Sequence, residues 1–414
     1  MSQHPASAPD PHVSGGRSGP TRRTVLQGAG ALAGAALLAA CGASSAPGSG
    51  KHAGGAGPVA GSSSTSASGS NAVTLTDQRG KTLHLPHPAR RVVTLPMPAA
   101  AILIAVDQGV DHLVGMHDAS WLAIKDGVLG QLFPQALAVA HDVANNDFVP
   151  NVESVLALHP DLVVQWADAG AGIITPLENA GLPVLGLTYG TQQDLTTWIN
   201  LFAAMLGKPQ RARELNSLTA QRLQLAKRVG RHAPRPRPSI LYFNRFLDGL
   251  KVAGAQTYND FYIRLVGGTN PASGPAPAPA QGMVGVDTEQ VLAWDPDIIL
   301  LGNFDAAMPS DVYGQPVWKS LRAVRTRRVY KVPLGGYRWD PPSHESPLMW
   351  QWLSQVAFPG RSPWGDLRPQ VVRDYTTFYG RRPTNAQMDE ILWMKENAQS
   401  AHYDQFGAGR SSAA

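Results

Sequence analysis

The chain has 414 residues, a formal net charge of +5, 16% charged residues and a single cysteine. Its basic residues are scattered, without the dense Lys/Arg run and interleaved aromatics that track a phosphate backbone, so nucleic acid is not an expected partner. One cysteine excludes an internal disulfide and a cysteine-ligated cluster. A chain of this length divides into two compact units, because single cores stop growing near roughly 250 to 300 residues.

Residues 1–41 read as an export signal. Arg22 and Arg23 precede an Ala/Gly/Leu run that ends in Leu38-Ala39-Ala40-Cys41 and is too short and glycine-broken to span a bilayer. The pattern resembles a twin-arginine signal fused to a lipoprotein cleavage box. Val25 and Gln27 depart from the usual twin-arginine consensus and leave the Sec route open. Cys41 is then a lipid attachment point that anchors an extracytoplasmic protein to the membrane. Residues 42–71 form a Gly/Ser-rich tether.

From residue 72 onward, apolar runs of strand length alternate with helical stretches. RVVTLP (91–96), DLVVQW (161–166) and PVLGLTY (183–189) predict buried strands of an N-terminal α/β lobe, residues 72–206. Residues 207–233 predict one long inter-lobe helix, with Pro209 at its start and Leu215, Leu218, Leu225 and Val229 near one face. About 24 residues at 1.5 Å each would span roughly 36 Å, enough to cross between lobes. The PRPRP run from Pro234 ends it. SILYFN (239–244), LKVAG (250–254), DIILLG (297–302) and RVYKVP (328–333) predict the strands of a C-terminal α/β lobe, residues 234–405. This lobe includes a structureless PASGPAPAPAQG loop (271–282) and C-terminal helices running through ILWMKE; residues 406–414 are expected to be disordered. The fold class is α/β: two parallel-sheet lobes joined by a single helix, with a ligand cleft between them.

One segment occurs twice. VESVLALHPDLVV (152–164) and TEQVLAWDPDIIL (288–300) each predict a short capped helix, a proline stop and a buried strand. Asn151 and Asp287 are the caps, Val152, Val155 and Leu156 are expected to face inward, and Glu153 and Glu289 outward. A first-turn carboxylate favours the helix dipole and by itself needs no function.

These copies, together with RRVVTLP, VGGTN (266–270) and WKSLRAVRTRRVYKVP (318–333), resemble the substrate-binding proteins of ABC importers for iron-siderophore complexes, haem and cobalamin. The resemblance covers roughly residues 73–360. It implies a monomeric, non-enzymatic binding protein with no cofactor of its own. Such a protein would carry a ferric siderophore or related metal chelate to a permease and its ATPase, and one glutamate per lobe, here Glu153 and Glu289, would pair with permease arginines. Haem, a corrinoid or a metal oxyanion are alternative ligands.

Ligands of open parallel sheets bind beyond the carboxyl ends of the strands. That places Met97, His117, Trp166, Tyr189, Tyr242 and Arg245 as candidates, with Trp121 on a nearby loop. Tyr337, Arg338, Trp339 and His344 of YRWDPPSHE complete the set. Aromatic faces suit a chelate or macrocycle and Arg suits an anion. The 12 histidines are dispersed, which disfavours a bare zinc or manganese site. A secreted enzyme or a signalling receptor are the competing classes. The chain lacks GxSxG, HExxH, GxxxxGK[ST] and strand-linked GxGxxG motifs.

Overall fold

The structure, a computed structural model, describes residues 72–274 and 282–409. The export signal, Cys41, the tether, residues 275–281 of the proline-rich loop and residues 410–414 lie outside the described residues. An antiparallel hairpin, β1 (Val73–Thr76) and β2 (Thr82–Leu85), precedes the first lobe. The first sheet contains β3 (Val92–Thr94), β4 (Leu113–Met116), β5 (Leu162–Trp166) and β6 (Val184–Leu187) in the order β4-β3-β5-β6, all parallel. The second contains β7 (Ile240–Arg245), β8 (Lys251–Ala253), β9 (Met283–Gly285), β10 (Ile298–Leu301) and β11 (Val329–Lys331) in the order β11-β10-β7-β8-β9. Its β11-β10-β7 part is parallel, whereas β8 and β9 are antiparallel. Only residues 246–250 join β7 to β8, too few for the crossover that a parallel neighbour needs.

Alternate residues of the second sheet serve different cores. Ile240, Tyr242, Ile298 and Leu300 join a buried cluster that runs without interruption from the first sheet through to Trp350, Trp352 and Tyr375. Leu241, Phe243, Ile299 and Leu301 face a separate, smaller cluster. The linking helix spans Pro209–Arg231, 23 residues, with Leu215 and Val229 buried and Leu218 and Leu225 packed on the larger core. It lies against helix Gln192–Met205 of the first lobe and helices Tyr258–Leu265 and Ser346–Ala357 of the second.

The C-terminal lobe, residues 234–409, departs from expectation in four ways. Helix Leu367–Tyr379 belongs to both lobes: Gln108 Nε2 donates to Thr377 O at 3.2 Å, and Arg211 Nη2 bridges Ala105 O (2.7 Å) and Thr377 O (2.8 Å). Helix Asn385–Ile391 stops before most of ILWMKE, where Trp393 adopts φ 50, and Asn397 Nδ2 and Tyr403 Oη satisfy the freed Leu392 carbonyl. Phe406, expected in a disordered tail, is 3% exposed and packs on Tyr403. Pro271–Ser273 forms a 3₁₀ turn because the Asn270 side chain accepts from Ala272 N at 3.1 Å.

The duplicated segment has the same anatomy twice. Helix Val152–Ala157 begins where Asn151 Oδ1 accepts from Ser154 N, and helix Thr288–Trp294 begins where Asp287 Oδ1 accepts from Gln290 N. Each is followed by a left-handed residue before proline, His159 (φ 45) and Asp295 (φ 37). Asp161 then accepts from the N–H groups of Arg90 (2.7 Å) and Arg91 (3.0 Å) at the foot of β3. Asp297 accepts from Ser239 N (2.8 Å) at the foot of β7. Each aspartate thus fastens a strand to its parallel neighbour. Val155 and Val291 are fully buried, but Leu156, expected inward, is 39% exposed. The first helix has only six residues, and Val155 alone takes the sheet-facing position.

Residues 334–346, after β11, hold the lobes together. Gly335 O accepts from Val128 N at 3.1 Å, and Arg338 Nη1 donates to Ala119 O at 3.2 Å. A Cβ on Gly127 would stand 2.3 Å from Gly335 O, so glycine is required for this approach. Beneath the loop lies the fully buried carboxylate of Glu345. It accepts from Trp339 Nε1 (2.6 Å), Gly336 N (2.9 Å), Tyr375 Oη (3.0 Å) and Tyr379 Oη (2.5 Å). His344 Nε2 is 2.6 Å from Tyr379 Oη, and its Nδ1 is buried without a partner, as suits a neutral ring that donates through Nε2. Burial lowers the His344 pKa from 6.5 to about 3 and raises Glu345 from 4.5 to about 7.

Replacing Asp161 by Ala removes both strand ties and should lower the unfolding free energy by about 1–2 kcal/mol, read as a lower urea midpoint at unchanged m value. An unchanged midpoint would show that water replaces the ties at no cost. Glu345 contributes stability that is full below about pH 4.5 and is lost as pH rises through about 7, because the native state holds its proton more tightly than the unfolded chain. His344 acts oppositely, with a contribution present above pH 6.5 and lost as pH falls through about 3. The stability difference between wild type and Glu345→Gln should therefore shrink from pH 4.5 to 7, and a difference independent of pH over that window would contradict the assignment.

Candidate ligand cleft

The wall contributed by the first lobe is a row of rings at the carboxyl ends of its strands. Phe148 lies 4.8 Å from the His117 ring and 6.2 Å from Trp166, and Tyr189 lies 5.6 Å from Trp166. Trp166 ends β5, and Tyr189 lies two residues past β6. Phe148 is held at φ 64 while its carbonyl accepts from Gln165 Nε2 at 2.9 Å. Tyr189 is 46% exposed, so it presents a free aromatic face. Its phenol is nevertheless pushed upward, first by the surrounding protein and then by Tyr337, Asp340 and Tyr258, all from the other lobe. A nearby cross-lobe bond, Tyr258 Oη to Gln192 Oε1 at 2.9 Å, bounds the same region.

Arg338 is the charged element of the opposing wall. Its Nε donates to Asn303 O at 3.1 Å and its Nη1 to Ala119 O at 3.2 Å, so both lobes hold it. The guanidinium carbon stands 5.0 Å from the Phe304 ring centre and 5.7 Å from that of Tyr337. These carbonyls use only part of its donor set, and the remaining N–H groups can meet an anion. Asn303 is fixed in turn by Asp340, which accepts from Asn303 N and Nδ2, each at 3.0 Å. Arg245 Nη1 donates to Phe304 O and sets the same loop.

Several sequence candidates take a different place. Tyr242, Tyr337, Trp339 and His344 are buried with essentially no surface, so they support the cleft wall from behind and do not line it. Tyr242 Oη donates to Asp340 at 2.6 Å, while Trp339 and His344 belong to the Glu345 network. Trp121 stacks on His141 at 4.2 Å and donates to Leu137 O at 3.1 Å, so its faces and N–H serve local packing. His117 caps helix Asp118–Asp126, accepting from Ala119 N at 3.0 Å and bonding Asn145 O at 2.9 Å. Burial lowers its pKa and keeps it neutral. Met97 packs against the core. Trp166, at 6% exposure, lies behind Tyr189, Arg245 and Arg338, which keep exposed or half-exposed surface near the strand ends where the cleft is expected, with Phe148, Asn303 and Phe304 beside them. No motif singled out these three: their loops have no strand-like period, and the only cue was that Phe304 lies soon after a buried apolar run.

Glu153 and Glu289 are both exposed, each in the first turn of its helix. Neither side chain makes a hydrogen bond or ion pair among the described residues. Among the described residues no group of three or more His, Cys, Asp or Glu is placed to hold a bare metal ion.

Residues 119–334, over half the chain, match the family described as periplasmic binding protein. The chain is 25% identical over 336 residues to the molybdate-binding protein MolA of Haemophilus influenzae, covering 75% of this chain and 93% of that protein. It is 26% identical over 210 residues to the iron(3+)-hydroxamate-binding protein FhuD of Bacillus subtilis, covering 48% and 64%. A periplasmic solute-binding protein from Veillonella parvula superposes with a TM-score of 0.72 at 31% identity, covering 79% of this chain and 98% of that one. Two α/β lobes, a connecting helix and a cleft at the strand ends accord with these relationships: the chain belongs to the periplasmic binding protein family.

Proposed function

We propose that this solute-binding protein captures a metal held inside an anionic complex, such as a ferric siderophore or related chelate, and delivers it to an ABC importer permease. The observation that carries this reading is Arg338, held by carbonyls of both lobes and set against the rings of Phe304 and Tyr337. A fixed guanidinium with free N–H groups recognises anionic oxygens, and the aromatic row offers flat apolar area for a ligand's organic frame. The cleft chemistry therefore suits a complex more than a naked cation. An oxyanion of a metal is the second reading, favoured by the alignment along 93% of a molybdate-binding protein.

Glu153 and Glu289 suit a docking role on the permease. The duplicated segments place them at matching positions, and whereas Asn151, Asp161, Asp287 and Asp297 of the repeat have structural partners, these two carboxylates have none among the described residues. Two unpaired carboxylates, one per lobe, can pair with basic groups on a two-fold partner. Tethering through a lipidated Cys41 would keep the protein near that partner.

Tryptophan fluorescence of the purified chain, titrated with ferric hydroxamate, ferric citrate, haemin, cobalamin and molybdate, tests the ligand. Quenching by a ferric chelate supports the first reading, quenching by molybdate alone supports the second, and silence across the panel defeats both. Arg338→Ala should weaken the responding ligand by about tenfold to a hundredfold, the loss of one or two charge-assisted hydrogen bonds. Glu153→Ala and Glu289→Ala should leave affinity within about twofold and abolish most uptake in cells, since rim charges act on the partner. Lost ligand affinity in either glutamate variant would remove the docking assignment.

A further inference from the structure

A groove of about 860 Å³ opens at the end of the second lobe opposite to the cleft. The topology shows this directly. β7, β10 and β11 run parallel, and groove residues Pro238, Asp297 and Arg328 immediately precede or nearly precede their first residues, whereas the cleft residues follow their last. A second hollow of about 350 Å³ continues from it, sharing Pro234, Phe358 and Arg361. Six arginines line the combined groove: Arg228, Arg235, Arg237, Arg322, Arg328 and Arg361. The other titratable groups facing it are His232, His402, Asp297 and Asp404.

The charge is cancelled internally only in part. Arg322 is paired with Asp297 at 2.8 Å. Arg228, Arg235 and Arg361 make no side-chain hydrogen bond or ion pair among the described residues. Arg328 is oriented by Nη2 contacts to Val356 O (2.9 Å) and Ala357 O (3.0 Å), and Arg237 has one long contact, to Gly230 O at 3.4 Å. Pro234, Pro236 and Pro238 restrict the backbone that presents Arg235 and Arg237, which reduces the entropy lost on ordering a ligand against it. The volume falls in the range of small-molecule sites, about 300–1,000 Å³.

We propose that this groove binds a ligand carrying two or more phosphate groups. Arginine forks match phosphate oxygens, and several forks along one groove require more than one phosphate to be satisfied together. Because the groove and the cleft lie at opposite ends of the same strands, both can be filled at once, and the groove stays open when the cleft face is docked on a partner. A soluble polyphosphorylated molecule and the headgroups of an anionic lipid surface share this chemistry.

Calorimetric titration of the full-length chain with tripolyphosphate, orthophosphate and sulfate, and co-sedimentation with phosphatidylglycerol vesicles, separate the sources. Tripolyphosphate should bind at least about tenfold more tightly than orthophosphate and weaken with added salt. Tight tripolyphosphate binding without vesicle binding assigns a soluble ligand, and vesicle binding assigns a headgroup surface. In either case Arg235→Ala/Arg361→Ala should lose about tenfold or more, with Lys227→Ala, a nearby charge outside the groove, unchanged. Since Arg235 and Arg361 hold no partner, the double variant should melt like wild type. Binding to neither probe, or equal binding by wild type and the double variant, overturns the proposal.

Discussion

Glu345 has no exposed surface, yet four donors converge on its carboxylate: an indole, a backbone amide and two phenols. A buried carboxyl without such partners would be costly. Here it closes a tight loop whose Gly336 amide and Trp339 ring are both pinned to the same group. Arg338 lies between those two attachments. Its guanidinium can reach Asn303 of one lobe and Ala119 of the other only because the loop is fixed on either side. The position of Arg338 is thus set from inside the core, by a residue with no exposed surface.

The same economy governs the lobes. They are separate as sheets but not as cores: one buried cluster extends from Val92 and Val163 to Trp352 and Tyr375. The linking helix contributes Leu215 and Val229 to it, and the helix after Asp366 returns to bond the first lobe through Thr377. Interiors packed this way move as blocks and do not deform gradually.

Much of this was legible in the sequence. Strand runs such as LVVQW and IILL are largely apolar stretches bounded by Pro-Asp and Gly or Ala, and the linking helix has clear apolar spacing. The repeat also disclosed its caps, Asn151 and Asp287, because helix starts rest on local chemistry. What it could not disclose depends on distant partners. Tyr242, Trp339 and His344 have the composition of a binding site, but Asp340, Glu345 and Tyr379 claim their polar atoms, and that choice is visible only in three dimensions. Short elements were obscured for another reason: β9 is an exposed edge strand of three residues, and Leu156 lies on a helix too short to bury a second apolar side chain.

A cleft walled by one shared core has a kinetic consequence. Lobes that share a core would give a ligand few spontaneous routes of escape, and on the proposed reading its residence time would be set by Arg338 and the aromatic row. On the proposed docking through Glu153 and Glu289, a partner gripping both lobes would apply the leverage that the protein alone lacks. On that proposal, the stiffness that would make capture secure would also move the work of release to the transporter.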